Sequence, residues 1–150
     1  MSPYEMIKTH LSAAVPFANH VGVELVEIGD GTATARLAQR AEVENHIGSM
    51  HAAAMFALGE AASGAALAGA LAPVILTMRP VAATSQIAFK KVAKGTLTAH
   101  AKTSADGASL MSTITQEGKV AFDVTVDVKD AQGDTVVEMT VNWYVSPQRK

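Results

Sequence analysis

Between Asn45 and Gly64 the chain reads NHIGSMHAAAMFALGEAASG, a polar loop that turns into a run of Ala, Met, Phe, Leu and Gly holding one acid, Glu60. A lone carboxylate on an apolar helix has two readings. Either it stands at the rim of the core with its head in solvent or on an arginine, or it is an active-site group in a dry cleft. In the cleft, desolvation raises its pKa and suits it to take a proton or attack as a nucleophile. The same stretch supplies further polar groups. Asn45 both donates and accepts hydrogen bonds, His46 and His51 bring two imidazoles, and Ser63 follows the acid by three residues. An Asn before a helix is equally an ordinary turn or cap residue. As metal ligands these residues are a poor set, because His46 and His51 lie five apart across a loop-to-helix junction and no second acid is near Glu60. No metal is expected.

The elements that must hold these groups belong to one domain, since 150 residues suffice for a single core. Hydrophobic residues make up 49% and charged ones 17%, with net charge -2, so neither disorder nor a nucleic-acid partner is suggested. So little charge on so apolar a chain points to burial in an oligomer. Cysteine is absent, which excludes disulfides, cysteine nucleophiles and thiolate metal sites and fits a reducing, cytoplasmic compartment. The opening MSPYEMIKTH has no basic stretch followed by an apolar run, so no signal peptide is expected. The segment from Ala52 to Met78 is long enough to cross a bilayer, but Ala and Gly dominate it and Glu60 and Pro73 interrupt it. We expect no membrane span there. A helix apolar on every side is otherwise one surrounded by protein.

In chain order, Ser2-Pro3-Tyr4-Glu5 predicts a helix start with Ser2 as N-cap, Pro3 at the first position and Glu5 closing a capping box. Met6, Ile7 and Leu11 mark its face, and Pro16 ends it. Val21, Val23 and Leu25 alternate along a first strand, Gly29-Asp30-Gly31 turns, and Ala33, Ala35 and Leu37 alternate along a second. The central helix should run from about Met50 or His51 to Leu71, stopping before Pro73. Strands are expected at Gln86 to Lys91, around Leu97 to Ala101, at Val120 to Val128 and at Val137 to Val145, with a turn at Asp130-Ala131-Gln132-Gly133. Ser104 to Gly118 is ambiguous, and we read it as a short helix closed by Gly118. The sum is an α+β fold in which a curved antiparallel sheet of five to six strands wraps one long buried helix.

Asn45-x-x-Gly48-x-x-His51-Ala52-Ala53, the acid Glu60 fifteen residues after Asn45, and the tail Ala61-Ala62-Ser63-Gly64 resemble the hotdog superfamily, and within it the PaaI-type acyl-CoA thioesterases. The resemblance spans roughly Phe17 to Val145. It departs from that pattern in three places: Ala52-Ala53 replaces a glycine pair, Gly64 stands where one branch keeps a hydroxyl, and Ser104 to Gly118 is additional.

What the resemblance implies is thioester hydrolysis. The backbone N–H of Ala52, at the positive end of the helix, would hold the oxyanion. Glu60 would be general base or nucleophile, Asn45 would orient water or hold the carbonyl, His51 would fix the turn or transfer a proton, and Ser63 would stand in for the displaced hydroxyl. Lys90, Lys91 and Lys94 form a basic cluster that either receives the phosphates of coenzyme A or is simply a solvated strand end. No cofactor is implied, coenzyme A being part of the substrate. Ala-rich walls with Met55, Phe56 and Met78 suggest an apolar tunnel for an aryl or medium-chain acyl group. Two rivals share the fold. A hotdog dehydratase would use His46, fourteen residues before Glu60, but the prolines of that pattern are missing between Pro16 and Pro73. A non-catalytic acyl-CoA-binding protein would keep the pocket alone. The implied assembly is a homodimer or a dimer of dimers with its site shared between chains.

Overall fold

The computed structural model describes residues 1–149. Helix α1 (Pro3–Ala14) has the predicted Ser2 cap, its Oγ accepting from the Glu5 N–H at 3.1 Å, but the Glu5 carboxylate lies 3.5 Å from Lys8 rather than closing a box on Ser2. Pro16 ends α1, but it also opens a helix that periodicity did not reveal, α2 (Pro16–Val21). A proline suits the first helical position, where its missing N–H would have had no partner. Gly22 closes α2 in the left-handed region at φ +99. Val21 is therefore helical, and the first strand starts later than its alternation implied.

That strand is β1 (Glu24–Gly29), which turns through Asp30-Gly31 into β2 (Thr32–Leu37). A 3-10 turn (Ala41–Val43) leads to the Asn45 loop and then to α3 (Ala52–Ala70). A second 3-10 turn (Ile75–Thr77) follows, and then β3 (Met78–Phe89), β4 (Leu97–Thr103), α4 (Gly107–Glu117), β5 (Val120–Lys129) and β6 (Thr135–Pro147). The ambiguous segment is thus a helix, capped by the Asp106 side chain and closed by left-handed Gly118. The strand expected at Gln86 to Lys91 begins at Met78 and stops before Lys90. It was hard to see because almost every residue of β3 is exposed on both faces, so nothing imposes a period of two.

All six strands form one antiparallel sheet in the order β1-β2-β4-β5-β6-β3. It curves around α3, which touches every strand of it. This is the hotdog arrangement. Inward residues of β5 and β6 alternate as expected, with Val124, Val128, Val141 and Val145 fully buried in the same core as Leu58 and Leu67 of α3. Most of α3 lies inside the protein, so the one helix among the described residues that is apolar and long enough to cross a bilayer is the core of the fold.

Small residues let the sheet approach α3 closely. A Cβ on Gly69 would overlap the carbonyl oxygen of Gly29, and one on Gly59 would collide with the Met139 sulfur. At Gly64 a Cβ would meet the Trp143 ring at an ordinary 3.5 Å. Among the described residues, the open edge of the sheet at β3 carries Val81 and Phe89 exposed to solvent.

Candidate functional site

Glu60 lies midway along α3, half-buried, with no ion pair or hydrogen bond to its carboxylate among the described residues. Burial pushes the carboxyl above its ordinary value of 4.5. It sits on the wall of a cavity of about 570 Å³ bounded by α1, α2, β1, α3, the second 3-10 turn and parts of β3 and β6. The lining is mainly apolar, with His10, Asn19 and Gln148 among its few polar members. Of the tunnel residues expected from sequence, Met78 lines this cavity. Met55, five residues before Glu60, is turned into the core, while Phe56, four before it, shares the Glu60 face one turn nearer the start of α3 but is exposed and outside the cavity.

At the start of α3 the backbone is set by His51, whose Nδ1 accepts from the Ala53 N–H at 2.9 Å. The ring is therefore a helix cap, with Nδ1 occupied. One residue earlier in the first turn, the Ala52 N–H has no partner among the described residues. Such a free donor at a helix N-terminus faces developing negative charge favourably.

Asn45 holds the loop that delivers this helix. Its Oδ1 accepts from the N–H groups of Ile47 (3.1 Å) and Ser49 (3.0 Å), and its Nδ2 donates to Ser49 Oγ (2.8 Å) and to the Met50 carbonyl (3.4 Å). Every hydrogen-bonding capacity of the amide is engaged. His46 is exposed in the same loop. Gln39, which the sequence did not single out, ties this loop to its neighbour. Its Nε2 donates to Glu44 (2.8 Å) and to the Gly48 carbonyl (3.0 Å), while its Oε1 accepts from the Gly95 N–H (2.6 Å).

Ser63 is fully buried. Its hydroxyl donates to the Glu60 carbonyl at 2.7 Å and accepts from Trp143 Nε1 at 3.0 Å. It thus links the helix at Glu60 to the indole lining the cavity. Trp143 is a second residue missed by sequence reasoning. Its signal was an inward position on β6 that could be read only as core.

Of the basic cluster, Lys91 is held by Asp130 (3.2 Å) and Asp134 (2.9 Å), whose charges and hydrogen bonds raise its pKa. Its ammonium is an ion-pair clamp across the β5–β6 turn. Lys90 and Lys94 are exposed and have no carboxylate partner among the described residues. The β3–β4 loop bearing them meets the site loop through the Met50 N–H, which donates to the Ala93 carbonyl at 2.8 Å. These two lysines are therefore on the loop beside the N-terminal end of α3.

Two parts of the expected constellation are not together within one chain. Eight residues separate Ala52 from Glu60, which on a helix is about 12 Å of rise. A reacting carbonyl cannot touch both.

The fold recurs in solved structures of low sequence identity. A Pseudomonas aeruginosa protein of unknown function, described as a probable thioesterase, superposes with a TM-score of 0.82 at 24% identity over 98% of this chain and 97% of its own. The Escherichia coli PaaI protein of the phenylacetic acid degradation operon gives 0.73 at 18% identity, covering 95% and 92%. A hypothetical thioesterase from Streptococcus pneumoniae, solved with coenzyme A, gives 0.66 at 21% identity, covering 86% and 89%. No curated protein matches the sequence. Residues 4–145 match the profile of a domain of unknown function, and the chain therefore belongs to the DUF4442 family, here folded as a hotdog domain.

Proposed function

We propose that this protein hydrolyses an acyl thioester of coenzyme A. The observation that carries the reading is the Glu60 carboxyl, unpaired and desolvated on the wall of an apolar cavity. A carboxylate with a raised pKa in such a place is a competent general base. It takes a proton from water as the water oxygen attacks the thioester carbonyl, or it attacks the carbonyl itself and forms an anhydride that water opens. In either route the carbonyl oxygen becomes an anion, the C–S bond breaks, and the thiolate leaves and is protonated.

The oxyanion needs a donor, and a second copy of the chain supplies one. Pairing two β3 edges antiparallel about a twofold axis brings the Phe89 end of one strand to the Met78 end of the other. The first end adjoins the start of α3 through Ala93, and the second lines the Glu60 cavity. The free Ala52 N–H of one copy thereby faces Glu60 of the other, with Asn45 and His51 shaping the loop and cap that aim it. Lys90 and Lys94 lie on the same loop edge and receive the phosphates. The coenzyme A bound to the Streptococcus pneumoniae neighbour supports this substrate class.

A thiol-release assay over short, long, branched and aryl acyl-CoAs tests the reading. Glu60→Gln keeps the shape of the side chain and removes the base, so turnover on the preferred substrate should fall by about two orders of magnitude with binding retained. Turnover close to wild type in that variant refutes the assignment.

A further inference from the structure

We infer that Gln39 is a positioning residue for the coenzyme: by bonding to both loops at the N-terminal end of α3, it holds Lys94 where the phosphates of coenzyme A arrive. This rests on the reading above only in taking coenzyme A as the handle of the substrate, not on the role of Glu60.

The β3–β4 loop is pinned at four points. The Lys90 N–H donates to the Val136 carbonyl at 2.8 Å, the Lys91 ammonium is held by Asp130 and Asp134, the Ala93 carbonyl accepts from the Met50 N–H, and the Gly95 N–H donates to Gln39 Oε1 at 2.6 Å. Lys90 is thus set by its own backbone and by its clamped neighbour. Exposed Lys94 lies between the other two points, one of which exists only because Gln39 is there.

The same amide reaches the opposite loop. Its Nε2 donates to the Glu44 carboxylate at 2.8 Å and to the Gly48 carbonyl at 3.0 Å, so a single side chain clasps the site loop to the lysine loop. Gly48 and Gly95 are both left-handed (φ +73 and +78), and a Cβ at either would meet nothing within 4 Å, so packing does not hold these turns there. Hydrogen bonding does. The site loop keeps its own shape without Gln39, because Asn45 closes four hydrogen bonds inside it. What Gln39 adds is the placement of Lys94 relative to that loop, and a loop ordered before binding need not be ordered by the phosphates. The effect belongs to coenzyme binding rather than to the chemical step.

Titration calorimetry with coenzyme A reads it without any turnover. Gln39→Ala should weaken binding about fivefold or more; the same change should cost less than about twofold in Lys94→Ala protein and its full amount in Lys90→Ala protein. Gln39→Glu keeps the acceptor for Gly95 but loses the donor to Glu44 and Gly48, so it should also bind weakly. Adding Glu44→Gln restores an amide–carboxylate pair in reverse and should recover most of the affinity. With the thioester turned over fastest, Gln39→Ala should raise KM for the coenzyme A ester about fivefold with kcat within about twofold, and the matching pantetheine thioester, which has no phosphate, should show neither change. A merely structural role would depress both thioesters together, in step with the denaturation midpoint, and overturns the inference. So does wild-type affinity for coenzyme A in both Gln39 variants, or a loss that simply adds to that of Lys94→Ala. Gln39→Glu decides if Gln39→Ala does not fold. Coenzyme A binding that depends on Gln39, with no hydrolysis of any thioester, would sink the hydrolase reading and leave this inference intact. Hydrolysis that depends on Glu60, with coenzyme A binding indifferent to Gln39, would do the reverse.

Discussion

At Glu60 an acid is set among Ala, Gly and Leu, and burial there lifts its carboxyl above 4.5. A carboxyl with a raised pKa binds its proton more tightly folded than unfolded. Its contribution to stability is complete below the unfolded value and is lost as pH rises through the folded one. Glu60→Gln should therefore be more stable than wild type at neutral pH and lose that advantage near pH 4.5, as urea midpoints at the two pH values will show. The acid limb of kcat/KM should likewise have its midpoint above 4.5, since the base must be ionised to work. A limb at or below that value would mean that Glu60 is not the titrating group. Asn45 and Glu60 could be found by type and spacing, because both are written in one short local stretch. Their neighbours could not. Lys91 meets Asp130 and Asp134 only after the chain returns along β6, and Trp143 reaches Ser63 across 80 residues.

Helix α3 shows how little of an element's precision comes from its large side chains. Its surface is mostly methyl groups, which offer weak ridges, so glycines at three heights let neighbours close in. The contacts differ in hardness. Gly69→Ala should destabilise the protein by about 3 kcal/mol, because the added carbon meets Gly29 backbone that has nowhere to go. Gly64→Ala should be neutral or stabilising by up to about 1 kcal/mol through helix propensity, since its Cβ meets the indole at normal distance. Equal denaturation midpoints for the two variants would contradict this packing. Elements with local signals, such as the Ser2 cap and the Gly118 stop, were legible beforehand. Helix α2 was hidden because Pro16 reads as a terminator, and β3 because an exposed edge needs no alternation.

For the whole molecule the question is what covers the β3 edge. If a second copy does, and the site is shared, inactive Asn45→Ala and inactive Glu60→Gln chains should complement each other. Each mixed dimer has one site with both lesions and one with neither, so random exchange should restore roughly a quarter of wild-type activity. Mass spectrometry verifies the exchange. Zero activity in a verified mixture would place the whole site within one chain.

The strand order also imposes a schedule. Strand β3 leaves the ribosome before β4, yet its one partner within the chain is β6, the last strand of the sheet to be made. Through the synthesis of β4, α4 and β5 it waits with both edges unsatisfied, a period in which exposed strand edges invite wrong pairing. The edge that the finished protein offers to a second copy is thus also the segment that a nascent chain must keep from its neighbours longest.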